Sequence, residues 1–304
     1  MIALSTCWAP PQINCLRELF EHAMELGFRC FEIGVSRLAF NLGEVLEAKK
    51  ELGIEITSAH NVISEKPIDP KNIRGDFVSS PDETRRAAGV ACLLDTISNC
   101  RKMGGRAVVI HAGYIKDIKF REMLENSEAL GNRILSNGID AEAQRQIDEI
   151  RRWRAQMAAP YLESAIKSLD EVAASERELL LGIESRYFYN EIPNVSELAA
   201  MFERLTGGNF GYWHDVGHAQ IGELFGLARH EEWLERYGDR LVGVHLHDMK
   251  GIRDHQAIGT GNIDFKMVAK YLKPDTIKVL ELNSSVASNQ AADSLKRLED
   301  FNIS

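Results

Sequence analysis

The chain has 304 residues, 44% of them hydrophobic, and carries 45 acidic against 36 basic side chains for a net charge of -9. A chain of that length buries a substantial core, as one domain or two. The acidic balance argues against a broad duplex-binding surface, whose affinity comes from Lys and Arg neutralising phosphates, and leaves room only for a local basic groove.

The elements follow a repeated unit: a short apolar run, a loop, an amphipathic stretch, and often a glycine before the next run. Eight such runs occur, at residues 2–6, 28–34, 54–60, 107–113, 180–185, 210–216, 241–248 and 277–283. Between them "LRELFEHAMELG", "LGEVLEAKKELG", "ACLLDTISNCRKMGG", "ELAAMFERLTGG" and "AADSLKRLEDF" repeat apolar residues at three and four positions, as a helix with one buried face does. Gly27, Gly53 and Gly104 stand where a left-handed cap would end a helix. Alternating βα units imply a parallel sheet, and eight of them imply closure into a (β/α)8 TIM barrel, a single domain over 1–304. An open doubly wound sheet competes, weakened because no GxGxxG follows the first run.

One connection is long, from about 114 to 179: a polar stretch, "IKDIKFREMLENSEALGNRILSNGID", then a helical pattern over 141–176. Loops of that length tend to be functional, so a lid or a homo-oligomer contact is expected there, with "NRILSNG" disordered in the absence of ligand. "RRWR" (151–154) reads as a solvated helix face. The five cysteines, Cys7, Cys15, Cys30, Cys92 and Cys100, are odd in number and lie outside any CxxC pattern, which points to a reducing cytosol rather than a disulfide framework or zinc ribbon. No secretory leader or long apolar run appears, so the expectation is a soluble cytoplasmic protein without a membrane partner.

Active sites of such barrels lie at the C-terminal strand ends, and His60, His111, Glu184, Asp215, His245, His247 and Glu281 fall there, on six of the runs. Side chains alternate along a strand, so Glu184 shares a face with Gly182, Asp215 with Gly211 and Trp213, and His245 with Gly243 and His247. If those faces point inward, the charged groups converge above a floor partly made of glycine. Carboxylates gathered without a counter-charge repel one another, and a divalent metal removes that conflict. Hard oxygens plus imidazole fit one Mn²⁺, Mg²⁺, Co²⁺ or Zn²⁺, and the absence of thiolate candidates argues against a structural zinc.

"GIES", "HDVGH", "HLHD" followed by "IGTGNIDF", and "LELN" resemble the xylose isomerase-like TIM-barrel superfamily, which holds sugar isomerases and epimerases and the endonuclease IV family. In the sugar epimerases one metal is held by Glu, Asp, His and Glu, and the resemblance places them on Glu184, Asp215, His245 and Glu281. Spacing alone does not choose between His245 and His247; the resemblance favours His245 and leaves His247 beside the ligands or on the substrate side. His218 resembles the position that contacts substrate in the epimerases.

The activity implied is metal-dependent isomerisation or epimerisation of a sugar, sugar phosphate or cyclitol. Protons move next to a carbonyl through a metal-stabilised enediolate, with Glu184 and Glu281 as the acid/base pair. Arg186 could bind a substrate hydroxyl, carboxylate or phosphate, or form an ion pair. Trp8 could stack on a sugar or plug the barrel mouth, Glu32 could orient a ligand histidine, and the N–H groups of "IGTGN" could receive a phosphate or form an ordinary turn.

The alternative implied is an apurinic endonuclease like endonuclease IV, or another metal-dependent hydrolase or lyase. His60 and His111 with Glu184 would then hold a second ion, a pair also compatible with a two-metal enzyme on a small substrate. For a third ion, His255 fits the histidine of an Asp-x-His pair, but Arg253 stands where the aspartate is expected and Asp254 is shifted by one. That departure and the acidic net charge argue against a nucleic-acid partner. A barrel that binds a sugar without turning it over is a third class, disfavoured by the intact ligand set.

Overall fold

Eight parallel strands close into a barrel in the computed structural model, which describes residues 1–116 and 127–304. They are β1 (Ile2–Ser5), β2 (Cys30–Ile33), β3 (Glu55–His60), β4 (Ala107–Ile110), β5 (Leu180–Glu184), β6 (Asn209–Asp215), β7 (Leu241–Leu246) and β10 (Ile277–Leu280). Two further strands, β8 (Asp248–Lys250) and β9 (Arg253–Gln256), make a separate antiparallel hairpin just beyond β7. β1 closes the ring by pairing with β2 on one side and β10 on the other. The expected (β/α)8 architecture is therefore present, and each expected apolar run contains one barrel strand.

Ten α-helices occur among the described residues: α1 (Leu16–Glu25), α2 (Leu42–Leu52), α3 (Glu83–Met103), α4 (Ser127–Asn137), α5 (Ala141–Ser175), α6 (Val195–Arg204), α7 (Val216–Leu224), α8 (His230–Tyr237), α9 (Phe265–Ala269) and α10 (Ser288–Glu299). Their ends follow local chemistry. Asn41 caps α2 by accepting from the Glu44 N–H, and Gly53 ends it at φ 67° with its N–H on the Lys49 carbonyl. Asp82 and Gly104 do the same for α3. None of the helices among the described residues is long and apolar enough to cross a membrane.

Strand parity divides the core into two. Outward-facing residues pack against the helices in one large cluster, while Ala3, Cys30, Ala107, Val109, Trp213, Ile277 and Val279 fill the barrel interior. Above that small inner plug the inward positions turn polar.

In the long connection two expectations change, and a third falls partly outside the described residues. Residues 117–126 of the anticipated lid or oligomer contact lie outside the described residues, and "NRILSNG" belongs largely to α4 rather than to a disordered loop. Leu130 and Ile134, one helical turn apart, are buried, and Gly131 packs against Ile252 and Phe225. "RRWR" is not wholly solvated either: Arg154 is buried, ion-paired with Glu197, and donates to the Glu191 carbonyl at 2.8 Å.

Candidate active site at the barrel mouth

Glu184 and Asp215 end β5 and β6, His245 is the last residue but one of β7, and Glu281 follows β10 directly; the four present one donor atom apiece within 4.8 Å of one another. All four are buried. Two of them have their orientation fixed from behind. His245 turns Nδ1 toward Glu184 Oε1 (2.7 Å) and Glu281 Oε2 (3.1 Å), while its Nε2 lies 3.1 Å from Glu32, which itself accepts from the Ser58 hydroxyl at 2.8 Å. Glu32 thus fixes the histidine with Nδ1 turned toward the carboxylates, as the partner of a ligating imidazole orients its ring. Asp215 caps α7, accepting from the His218 N–H at 2.7 Å, and its backbone N–H donates to Ser185 Oγ.

His245 and His247 take different places: His245 joins the Glu184–Asp215–Glu281 set, and His247 forms another group with Asp215 and His255. His247 sits beyond the strand end, fully buried, with Nε2 3.1 Å from Asp215 and Nδ1 accepting the His255 N–H at 2.9 Å. It steadies Asp215 and does not line the cavity.

A second group, His60, His111 and Glu184, adjoins the first and shares Glu184 with it. His60 bonds through Nδ1 to the Asn61 carbonyl (3.0 Å) and turns Nε2 toward Glu184, 3.6 Å away. His111 Nε2 is 2.5 Å from Glu184 Oε2. A third group is His218, Asp254 and His255. His255 adopts φ 54°, a left-handed conformation held by its N–H on His247 and its carbonyl under the Asn283 N–H. That turn brings Asp254 Oδ2 to 3.9 Å from His218 Nε2 and Oδ1 to 3.1 Å from His255 Nδ1, so the one-residue shift of the aspartate is absorbed by the backbone.

Charge follows this geometry. Burial would raise the Glu184 carboxyl, but His111, His245 and His60 around it hold it well below the usual carboxylate range. Glu281 goes the same way, burial being outweighed by His245 and His255. Burial disfavours imidazolium at His245, yet Glu281 and Glu32 raise its pKa well above the ordinary value. His111 departs from this trend, pushed well down by burial and by the adjoining Arg186. Burial counts against Glu184, Glu281 and His245 as charged groups, and their mutual attraction keeps them ionised.

A cavity of about 230 Å³ opens on this cluster, lined among others by His60, His111, Glu184, Arg186, His218, His255 and Glu281. Three sequence expectations do not survive. Trp8 is fully buried and does not line the cavity, its indole N–H donating to the Val286 carbonyl at 2.9 Å and its ring stacking on His22. "IGTGN" offers no anion site, because the N–H groups of Gly259 and Gly261 already donate to Asp248 at 2.8 and 2.9 Å. The glycine floor is occupied: a Cβ on Gly243 would meet the Trp213 ring at 2.2 Å, so the indole fills the space the glycines leave.

Tyr187, Arg74 and Val35 also line the cavity, and Glu191 pairs with Arg186 behind it. Tyr187 covers His218, ring centroids 4.5 Å apart. The aromatic run "RYFY" after Glu184 was its available signal; Arg74, Val35 and Glu191 sit on loops where no periodicity marks them.

Residues 20–301 match the family described as xylose isomerase-like TIM barrel. An uncharacterized protein of Sinorhizobium fredii, y4fM, is 27% identical over 200 residues, 65% of this chain and 52% of that protein. The chain spans about half the length of the curated relatives it matches. Among solved structures, a D-tagatose 3-epimerase-like protein superposes with TM-score 0.67 at 20% identity, over 99% of this chain and 96% of that one. The 3-keto-D-glucoside 4-epimerase YcjR from E. coli gives 0.66 at 20% identity over 98% of each. At such identities the likeness is one of fold.

Proposed function

This chain belongs to the xylose isomerase-like TIM-barrel family, and from that premise we propose that it is a divalent-metal-dependent isomerase or epimerase of a sugar, sugar phosphate or cyclitol, acting by proton transfer next to a carbonyl. The observation that carries the reading is the buried set Glu184, Asp215, His245 and Glu281, with one donor atom each within 4.8 Å. Carboxylate oxygens with one imidazole nitrogen suit Mn²⁺, Mg²⁺, Co²⁺ or Zn²⁺. A divalent ion held there would supply the positive charge that enolisation of a neighbouring carbonyl requires.

The chain's own groups move the proton. Glu184 ends β5 and Glu281 directly follows β10, strands separated around the ring by β6 and β7, so their carboxylates reach a bound carbon from different sides. Both are held ionised, as a base must be before it takes a proton. His255 Nε2, 3.4 Å from Glu281 Oε2, orients that carboxylate, and His218 and Arg186 offer donors to substrate oxygens along the cavity wall. The cavity of about 230 Å³ falls below the roughly 300–1,000 Å³ of drug-sized sites and suits a small polyhydroxy ligand. Screening ketoses, their phosphates and inosose-type cyclitols for solvent deuterium uptake with Mn²⁺ tests the reading. Deuterium at carbon in none of them sinks it.

The His218–Asp254–His255 group favours a second reading, multi-metal phosphodiester cleavage, because it supplies the third donor set whose aspartate is displaced in sequence. Cleavage of an abasic-site duplex at catalytic rates, lost in Glu184→Gln, would establish it over the first.

A further inference from the structure

The geometry points to Arg186 as a built-in cation that takes the place of a second metal ion at the His60–His111–Glu184 corner, leaving one ion, in the Glu184–Asp215–His245–Glu281 set. This rests on the metal-dependent reading above and adds to it which donor group is closed to metal.

Arg186 Nη1 lies 2.7 Å from His111 Nε2 and 3.3 Å from Glu184 Oε2. His111 Nε2 is itself 2.5 Å from Glu184 Oε2, so a guanidinium fixed against both groups takes the space that a metal would need between the donor atoms of this corner. The arginine is not free to swing away. Its side chain is 3% exposed, and Nη2 bonds to the Glu191 carboxylate, whose other oxygen accepts the N–H groups of Tyr187 (3.1 Å) and Phe188 (2.8 Å). Displacing it would strand Glu191 as a buried unpaired charge. A dication beside a fixed guanidinium in a low-dielectric pocket is also strongly repelled.

The support behind each histidine points the same way. An imidazole built to ligate metal has its other nitrogen bonded. His245 has Glu32, His60 has the Asn61 carbonyl, and His218 has the Ser185 carbonyl. His111 Nδ1 is buried without a hydrogen-bond partner. His111 therefore lacks the backing of a ligand. A substrate oxygen entering this side of the cavity meets a guanidinium, which supplies fixed charge and N–H donors where a second ion would have supplied an open coordination position.

The test is metal content per chain, by mass spectrometry of metals after loading the stripped protein with excess Zn²⁺ and removing unbound ion by gel filtration. Wild type should hold one ion. Arg186→Met combined with Glu191→Gln, which leaves no buried charge unpaired, should hold two, and adding His111→Ala to that pair should return it to one. If the double variant does not fold, His111→Ala alone in the wild-type background decides: content stays at one. Two ions in wild type with one lost in His111→Ala, or a folded double variant that stays at one, overturns the inference while leaving the isomerase reading intact. No ion in any of them removes the metal-dependent reading and this inference together.

Discussion

Acidification should destabilise the fold through a histidine pair behind the site, with a magnitude set by burial. His214 and His230 touch through their Nε2 atoms at 3.0 Å, on the outward face of β6 and in α8. Gln220 Oε1 accepts from His230 Nδ1 (3.1 Å), so His230 Nε2 must accept from His214, whose Nδ1 in turn accepts from the Tyr212 hydroxyl at 2.6 Å. One more proton would set two N–H groups against each other. Burial accordingly pushes His230 down to about 4 and His214 well below its ordinary value. Since the folded pKa lies below the unfolded one, this contribution to stability is whole above pH 6.5, declines as pH falls, and is gone below about pH 4. For His230 alone the loss is about 2 kcal/mol by pH 5 and about 3 kcal/mol by pH 4. Urea unfolding of wild type and His230→Gln at pH 7, 6 and 5 measures it. The amide can keep both hydrogen bonds without titrating, so the stability gap between the two proteins should close by about 2 kcal/mol on going to pH 5. An unchanged gap would show that the pair accepts a proton in place and refute the reasoning.

At the site, Glu281→Gln should lower substrate deuterium exchange by about 10²–10⁴-fold with little change in the unfolding midpoint; a variant that exchanges at the wild-type rate removes Glu281 from proton transfer. Excess Mn²⁺, Co²⁺ or Zn²⁺ should raise the melting temperature of stripped protein, by about 2.7 kcal/mol of stabilisation at a hundred times the dissociation constant. No shift with any of them would argue that the carboxylates hold no ion. Gly243→Ala should destabilise by about 1–3 kcal/mol in urea titrations, because its Cβ would lie 2.2 Å from the Trp213 ring. A neutral result would place that ring elsewhere.

Strand parity made much of the site legible in advance. Residues two apart on a strand share a face, so a carboxylate or imidazole at a strand end declares its direction as soon as the barrel is assumed, and Glu184, Asp215, His245 and Glu281 meet as that rule requires. Beyond a strand end the rule no longer binds: Glu281, one residue past β10, still keeps it, and His247 does not. β7 ends at Leu246, and His247 turns behind Asp215. Loops obey no period, which hid Glu191 and Arg74. Asp254 was hard to place for a related reason: counting residues from His255 assumes extended backbone, and His255 has φ 54°. Trp8 misled because its place after the first strand says nothing about which side of the wall it takes.

The glycines beneath the ligands show how the interior and the chemistry depend on each other. Gly182 precedes Glu184 by two, Gly243 precedes His245 by two, and a Cβ at either would run into Trp213, at 2.9 and 2.2 Å. One large ring thus replaces several side chains in the layer under the site, and that exchange works only if its neighbours give up theirs. The ring meets His245 edge to face at 5.2 Å, so the plug also sets the floor on which the central imidazole rests. Replacing Trp213 by a smaller residue would open space directly below His245, and the histidine, still tied to Glu32 on one side and Glu184 on the other, would be held by hydrogen bonds without packing from beneath. Metal affinity should then fall before the barrel does, because that contact supports one histidine locally while the strand pairing runs around the whole ring.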